Sequence, residues 1–206
     1  MYIPKHFVTT DRTEIVAFMQ QYSFGTIITS VNNIPVASHL PFLVTVKGND
    51  VILTSHFAKA NEQWKHINTS QCLVIFSEPH AYISPKHYDK ELTVPTWNYF
   101  SVHAYGEGKI ISGVAGAYEV LEATIDNYER DYKQQWQSMP EDFKLKMIKG
   151  IVAFEIVVTD LQAKKKLSQN KSGAEQDRII QTLSESSHTS EQDIAKYMAQ
   201  NRQAVP

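Results

Sequence analysis

Phe24-Gly25-Thr26-Ile27-Ile28-Thr29-Ser30-Val31 is a β-branched, apolar run that halts at Asn32-Asn33, and two more extended segments follow it. Pro35 to Val46 resumes the pattern, Lys47-Gly48-Asn49-Asp50 reads as a hairpin loop, and Val51 to Phe57 makes a third strand. Strands in series here, with helices gathered late in the chain, favour an α+β fold. The architecture expected is a mostly antiparallel β-barrel with peripheral helices rather than a doubly wound sheet.

On the N-terminal side, Asp11 and Glu14 stand in capping-box positions. Ile15, Phe18 and Met19 then recur at helical spacing, which predicts an amphipathic helix over residues 11–22. On the C-terminal side, Lys59 to Trp64 predicts a short helix and Leu73 to Phe76 a short buried strand. Ala81 to Pro95, with two prolines and several polar residues, reads as an ordered loop. Trp97 to Ser112 alternates as a long strand in which Gly106 and Gly108 suggest a bulge or turn.

Ala115 to Gln134 carries Tyr118, Leu121, Ile125 and Tyr128 on one helical stripe. Ser138-Met139-Pro140-Glu141 opens a further helix, with Ser138 as its cap and Gly150 at its end. Ile151 to Val158 is a strand, and Gly173 to Leu183 and Ser190 to Gln200 are helices. Neither repeats nor a low-complexity linker interrupt the chain, so residues 1–206 read as one domain with C-terminal helices from about residue 173.

The 206 residues are 42% hydrophobic and 20% charged, an ordinary globular balance, and a net charge of -2 provides no overall attraction for nucleic acid or acidic membranes. Cys72 is the single cysteine and lies in the apolar run Cys72-Leu73-Val74-Ile75-Phe76, which leaves no intrachain disulfide and reads as a buried core thiol. An 18-residue apolar run and a signal-peptide core are both missing from the sequence, so no membrane association is expected and the cytoplasm is the expected compartment.

The glycine-rich, nucleophile-elbow and zinc-protease signatures that make many enzymes legible are absent. Eight histidines remain, and their spacing imposes no metal geometry. Thr54-Ser55-His56-Phe57-Ala58-Lys59-Ala60-Asn61 is more telling, because two hydroxyls end a strand and a lysine sits at the start of the next helix. Such groups suit a phosphate, with its nearly two negative charges and strong acceptors; a plain strand-to-helix cap with a solvated Lys59 is the competing reading. Pro79-His80-Ala81-Tyr82-Ile83-Ser84-Pro85 and Val94-Pro95-Thr96-Trp97-Asn98-Tyr99 combine apolar rings with polar tips. They suit either a flat aromatic ligand or a core wall.

These segments, together with Met1 to Phe7, Ser38-His39-Leu40-Pro41-Phe42, Phe154-Glu155-Ile156 and Lys166-Leu167-Ser168-Gln169-Asn170, resemble the PaiB-type FMN-binding negative transcriptional regulators of the flavin-binding split-barrel superfamily. The resemblance spans nearly the whole chain. It implies a homodimer of split barrels with FMN at or near the subunit interface. It also implies that Thr54, Ser55, Lys59 and Asn61 hold the flavin phosphate, while Ser38, His39 and Leu40 run beside the isoalloxazine. Ser101 and His103 would add a ring or ribityl contact, with Trp97, Asn98 and Tyr99 near the same pocket. The family more often has Arg where this chain has Lys59, a change that replaces a bidentate fork with a point charge.

Three functions compete at this level. The resemblance implies a repressor, for which Lys164, Lys165, Lys166 and Lys171 form the obvious basic patch for DNA. The sequence itself shows no helix-turn-helix. A flavin oxidoreductase or a haem-degrading relative is the alternative, in which His39, His80 and His103 would move protons or orient a substrate. A third reading makes the effect on transcription indirect, through a metabolite.

Overall fold

A computed structural model describes residues 1–69 and 71–203. Among them the chain forms nine strands and six α-helices and divides into two compact units. Of the described residues, one unit comprises those within 16–76 and 103–161; the other comprises residues 1–15, 77–102 and 162–203.

The first unit is the barrel. Its strands are β2 (Phe24–Val31), β3 (Ile34–Pro41), β4 (Leu43–Lys47), β5 (Asp50–Ala58) and β6 (Gln71–Phe76), joined by parts of β8 (Thr96–Ile110) and β9 (Ile151–Lys166). The order is β3-β2-β6-β8-β9-β5-β4. The two ends of this path, β3 and β4, are separated in sequence by Phe42 alone, so the sheet must curl until its edges meet. That break divides the single extended segment expected over Pro35–Val46. Phe42 is buried there, and its amide donates to the Ser23 carbonyl at 2.8 Å. Phe42, Phe57, Phe76 and Phe154 fill the barrel. Phe57 stacks on Phe154 at 4.7 Å, and Phe42 meets Phe76 and Phe154 edge-on at 5.8 and 6.3 Å.

Helix α1 (Arg12–Gln21) begins as expected, with the Asp11 carboxylate accepting from the Thr13 and Glu14 amides. Its Phe18 and Met19 are buried. The expected helix over Ala115–Gln134 is two helices, α2 (Gly113–Tyr128) and α3 (Tyr132–Ser138), because Glu129 leaves the helical region at φ -154° and ψ 75°. Ser138 closes α3, donating to the Gln135 carbonyl, and does not cap α4 (Glu141–Ile148), whose cap position is Pro140. The helix expected after Lys59 is a short 3-10 turn, Glu62–His66.

Three expectations around β8 and β9 are corrected. Gly106 and Gly108 neither bulge nor turn the chain; both lie within continuous β8. A Cβ on Gly106 would stand 2.3 Å from the Val157 carbonyl oxygen, and one on Gly108 would stand 2.8 Å from Ile67, so glycine is required by close backbone approach. The strand expected to end at Val158 runs on to Lys166 as β9 and takes in the basic run. The expected loop Ala81–Pro95 begins with β7 (His80–Ile83), paired antiparallel to Thr96–Tyr99 of β8. Its prolines flank the strand instead of interrupting it, so the ladder is intact.

The second unit packs α5 (Gly173–Ser184) and α6 (Thr189–Gln203) on β7, around buried Ile83, Leu167, Ile179 and Ile194. Strand β1 (Val8–Thr9) pairs with Ala163 and Lys164 of β9. Ser172 and Glu175 form a complete capping box at the start of α5. Ser190 clamps α6 to β7, accepting from the His80 amide at 2.9 Å and donating to the His80 carbonyl at 2.7 Å. No helix among the described residues is long and apolar enough to cross a membrane.

Candidate functional site

Strand β5 places its residues by parity. Leu53, Ser55 and Phe57 point into the core, while Thr54 and His56 share the opposite face. Thr54 and Ser55 therefore diverge. The Ser55 hydroxyl is buried and donates to the Pro41 carbonyl at 2.7 Å, which commits its proton inside the barrel. Thr54 lies opposite Glu155 of β9 in the ladder, and Glu155 faces Lys109 at 3.8 Å. Beyond the strand, Lys59 is fixed by its backbone: its amide donates to the Gly150 carbonyl at 2.8 Å, and its carbonyl accepts from the Trp64 indole at 3.1 Å. Its side chain is exposed.

Ser38 and Asn61 meet through a residue that the sequence did not single out. Asn61 donates to the Ser38 hydroxyl at 2.8 Å, and Ser38 donates to the Gln63 side-chain carbonyl at 2.6 Å. Buried Gln63 then gives its amide hydrogens to the Val36 and Ile27 carbonyls and the Thr29 hydroxyl, at 3.0 to 3.3 Å. Gln63 thus staples the 3-10 turn to β2 and β3, and one amide hydrogen of Asn61 is taken up in doing so. Only the turn-forming run Asn61-Glu62-Gln63 hints at this in the sequence.

His39 is exposed on edge strand β3 and stacks with Phe24 at a ring separation of 6.5 Å; Leu40 beside it is half-buried. His103 is in β8, and its parity is opposite to that of core-facing Ala104 and Gly106, as is that of Tyr105 and Lys109. Lys109 meets Glu155 on this face, which also carries Thr54 and His56. Burial holds the imidazoles of His56 and His103 below their ordinary pKa, so both are neutral at pH 7. The Nδ1 atom of His103 is buried with no hydrogen-bond partner among the described residues.

Trp97, Asn98, Tyr99 and Ser101 belong to the second unit. Asn98 is fully buried; it accepts from Ser168 Oγ at 3.0 Å and contacts the Met198 sulfur at 3.4 Å, a structural role. Ser101 is also buried. Trp97 is half exposed and meets His80 and Tyr82, while Tyr99 carries the Lys164 ammonium 5.3 Å from its ring centre.

The Thr54 hydroxyl and the Lys59 ammonium offer donors that suit the phosphate of a flavin mononucleotide, while the orphaned His103 nitrogen lies farther along the sheet, beyond the point where Thr159 of β9 donates to the Tyr105 carbonyl. A planar ring system needs hydrogen-bond partners along its edge, and a phosphate needs a cation. Comparisons agree with this chemistry. The chain is 38% identical, over 201 residues and 96% of each sequence, to Protease synthase and sporulation protein PAI 2 of Bacillus subtilis. It is 33% identical over 134 residues to the uncharacterized protein YKL070W of Saccharomyces cerevisiae, covering 54% of this chain and 79% of that one. The fold matches the flavocytochrome Anf3 of Azotobacter vinelandii with a TM-score of 0.63 at 14% identity, over 80% of this chain and 72% of that one. It matches an FAD and heme binding protein of Mycobacterium smegmatis with a TM-score of 0.62 at 13% identity, over 83% and 78%. Residues 1–160 match the family model described as "Putative FMN-binding domain". With that match and the PAI 2 relationship, the chain is a split β-barrel protein of the FMN-binding domain family, and FMN is its cofactor.

Proposed function

We propose that the FMN phosphate lies at Lys59 and Thr54, that a second copy of the chain brings its His103 to the ring, and that the holoprotein acts as a negative regulator. The observation that carries the placement is the buried, unpartnered His103 Nδ1, since a buried polar atom without a partner is costly unless a ligand satisfies it. FMN supplies redox chemistry when bound. Lys59 offers the phosphate a charge-assisted hydrogen bond, and its fixed backbone lowers the entropy lost in ordering that contact. Ser38, Ser55 and Asn61 support the wall through the bonds described above and leave Lys59 as the main electrostatic contact.

A second copy of the chain completes the site in this reading. Phe24, 67% exposed, with His39 leaves an apolar-aromatic patch on the β2–β3 ladder, and a homodimer would cover it. The regulatory output runs through a metabolite rather than direct DNA contact. Lys164 reaches the Tyr2 carbonyl at 3.3 Å, Lys165 pairs with Glu14 at 2.6 Å, and Lys166 donates to the Thr96 hydroxyl. Lys171 sits over the Tyr88 ring. Phosphates of DNA would have to displace Lys164 and Lys165 from these contacts, and Lys166 and Lys171 line a small cavity that a duplex could not enter.

FMN affinity of two variants tests the placement. Lys59→Ala should weaken binding about 10-fold, the loss of a charge-assisted contact, and His103→Phe should weaken it as well. Wild-type affinity in both would move the phosphate and the ring elsewhere.

A further inference from the structure

The second unit contains a cavity of about 260 Å³ that shares no residue with the proposed FMN face. Its charged groups are Lys166 and Lys171, and none of its lining residues is acidic. Among the described residues neither lysine forms an ion pair. Glu175, the carboxylate whose pKa Lys171 helps to lower, is committed to the amides of Ser172 and Asp89. Two ammonium groups therefore converge on one small space without an anion to balance them.

The walls hold both lysines in place. Lys171 stands 3.6 Å from the centre of the Tyr88 ring, and Lys166 lies 5.9 Å from that of Phe7. Lys166 donates to the Thr96 hydroxyl, which leaves the Thr96 proton free to donate onward. Ser168 adopts the left-handed conformation at φ +59° and is buried, its hydroxyl donating to Asn98. That strained residue turns the chain, with the Lys171 amide donating to the Ser168 carbonyl at 3.0 Å, so that Asn170 and Lys171 both line the cavity. Thr93 and His6 add further donors, and Val94 and Phe7 an apolar side.

We infer that this cavity is a binding site for a small phosphate-bearing metabolite. A phosphate monoester brings close to two negative charges and three strong acceptors, matching two ammonium groups and the hydroxyl and amide donors around them. The apolar side receives a short carbon skeleton.

Calorimetric titration of the FMN-loaded full chain with inorganic phosphate, phosphoenolpyruvate and succinate tests the site, since bound FMN occupies the other phosphate position. Phosphoenolpyruvate should bind. Lys166→Met and Lys171→Met should each weaken it by about 10-fold or more. Lys171→Arg, which keeps the charge, should retain binding. Equal binding of inorganic phosphate would identify the free ion as the ligand, and a preference for phosphoenolpyruvate would identify an organic phosphate. Lack of heat with either phosphate probe at about 10 mM, binding of succinate alone, or wild-type binding in both Met variants would overturn the inference. Flavin absorbance of each variant separates this result from loss of FMN.

Discussion

His103 and His56 are where single residues say most about this protein. Each is neutral because burial disfavours the imidazolium, so each folded pKa lies below the ordinary 6.5. The unfolded chain therefore binds protons that the folded chain refuses. Their contribution to stability is complete above about pH 6.5 and is lost as the pH falls through the depressed folded values. Thermal melts should consequently shift to lower temperature between about pH 7 and pH 5, and His103→Gln should flatten that dependence. An unaltered slope in the variant would show that His103 does not titrate differently on folding. Gln63 illustrates the limit of reading residues one at a time. Its partners Ile27, Thr29, Val36 and Ser38 are distant in sequence, so a buried glutamine in a short turn looked like any solvated helix former. Ser55 was misleading for the opposite reason: its neighbour Thr54 faces the other way, a consequence of strand parity that a motif read as a string ignores.

Secondary-structure elements were legible where periodicity is local. Strands β2 and β5, helix α1 and the C-terminal helices follow their patterns closely. What escaped were features set by partners. Strand β7 exists because Thr96–Tyr99 lies alongside it, and β9 continues through three lysines because its ladder does, with Lys165 neutralised by Glu14. Gly106 is the sharpest case. A glycine in a strand signals either a bulge or a close approach, and only the Val157 backbone beside it decides between them. Gly106→Ala should destabilise the fold by about 3 kcal/mol through overpacking, read as a lower urea midpoint. A midpoint within error of wild type would mean that β9 can shift to accommodate a methyl group.

At the scale of the whole molecule, a barrel closed through Phe42 supplies the rigid wall, and the FMN-binding family assignment supplies the cofactor. The resemblance carried by the sequence motifs was right about both, and two of those motifs, Ser38–Phe42 and Phe154–Ile156, sit on or beside strands that build the wall. It grouped Trp97 to Tyr99 with Thr54 to Asn61; the two stretches belong to different compact units, and Asn98 is buried with its side chain bonded to Ser168. The central claim is that this chain holds FMN through its own residues. Titration of FMN with the purified protein, followed by flavin fluorescence, tests it most directly. Saturable quenching that reaches its end point at equal amounts of FMN and chain is the result predicted. Flavin emission that stays constant at every protein concentration would contradict it.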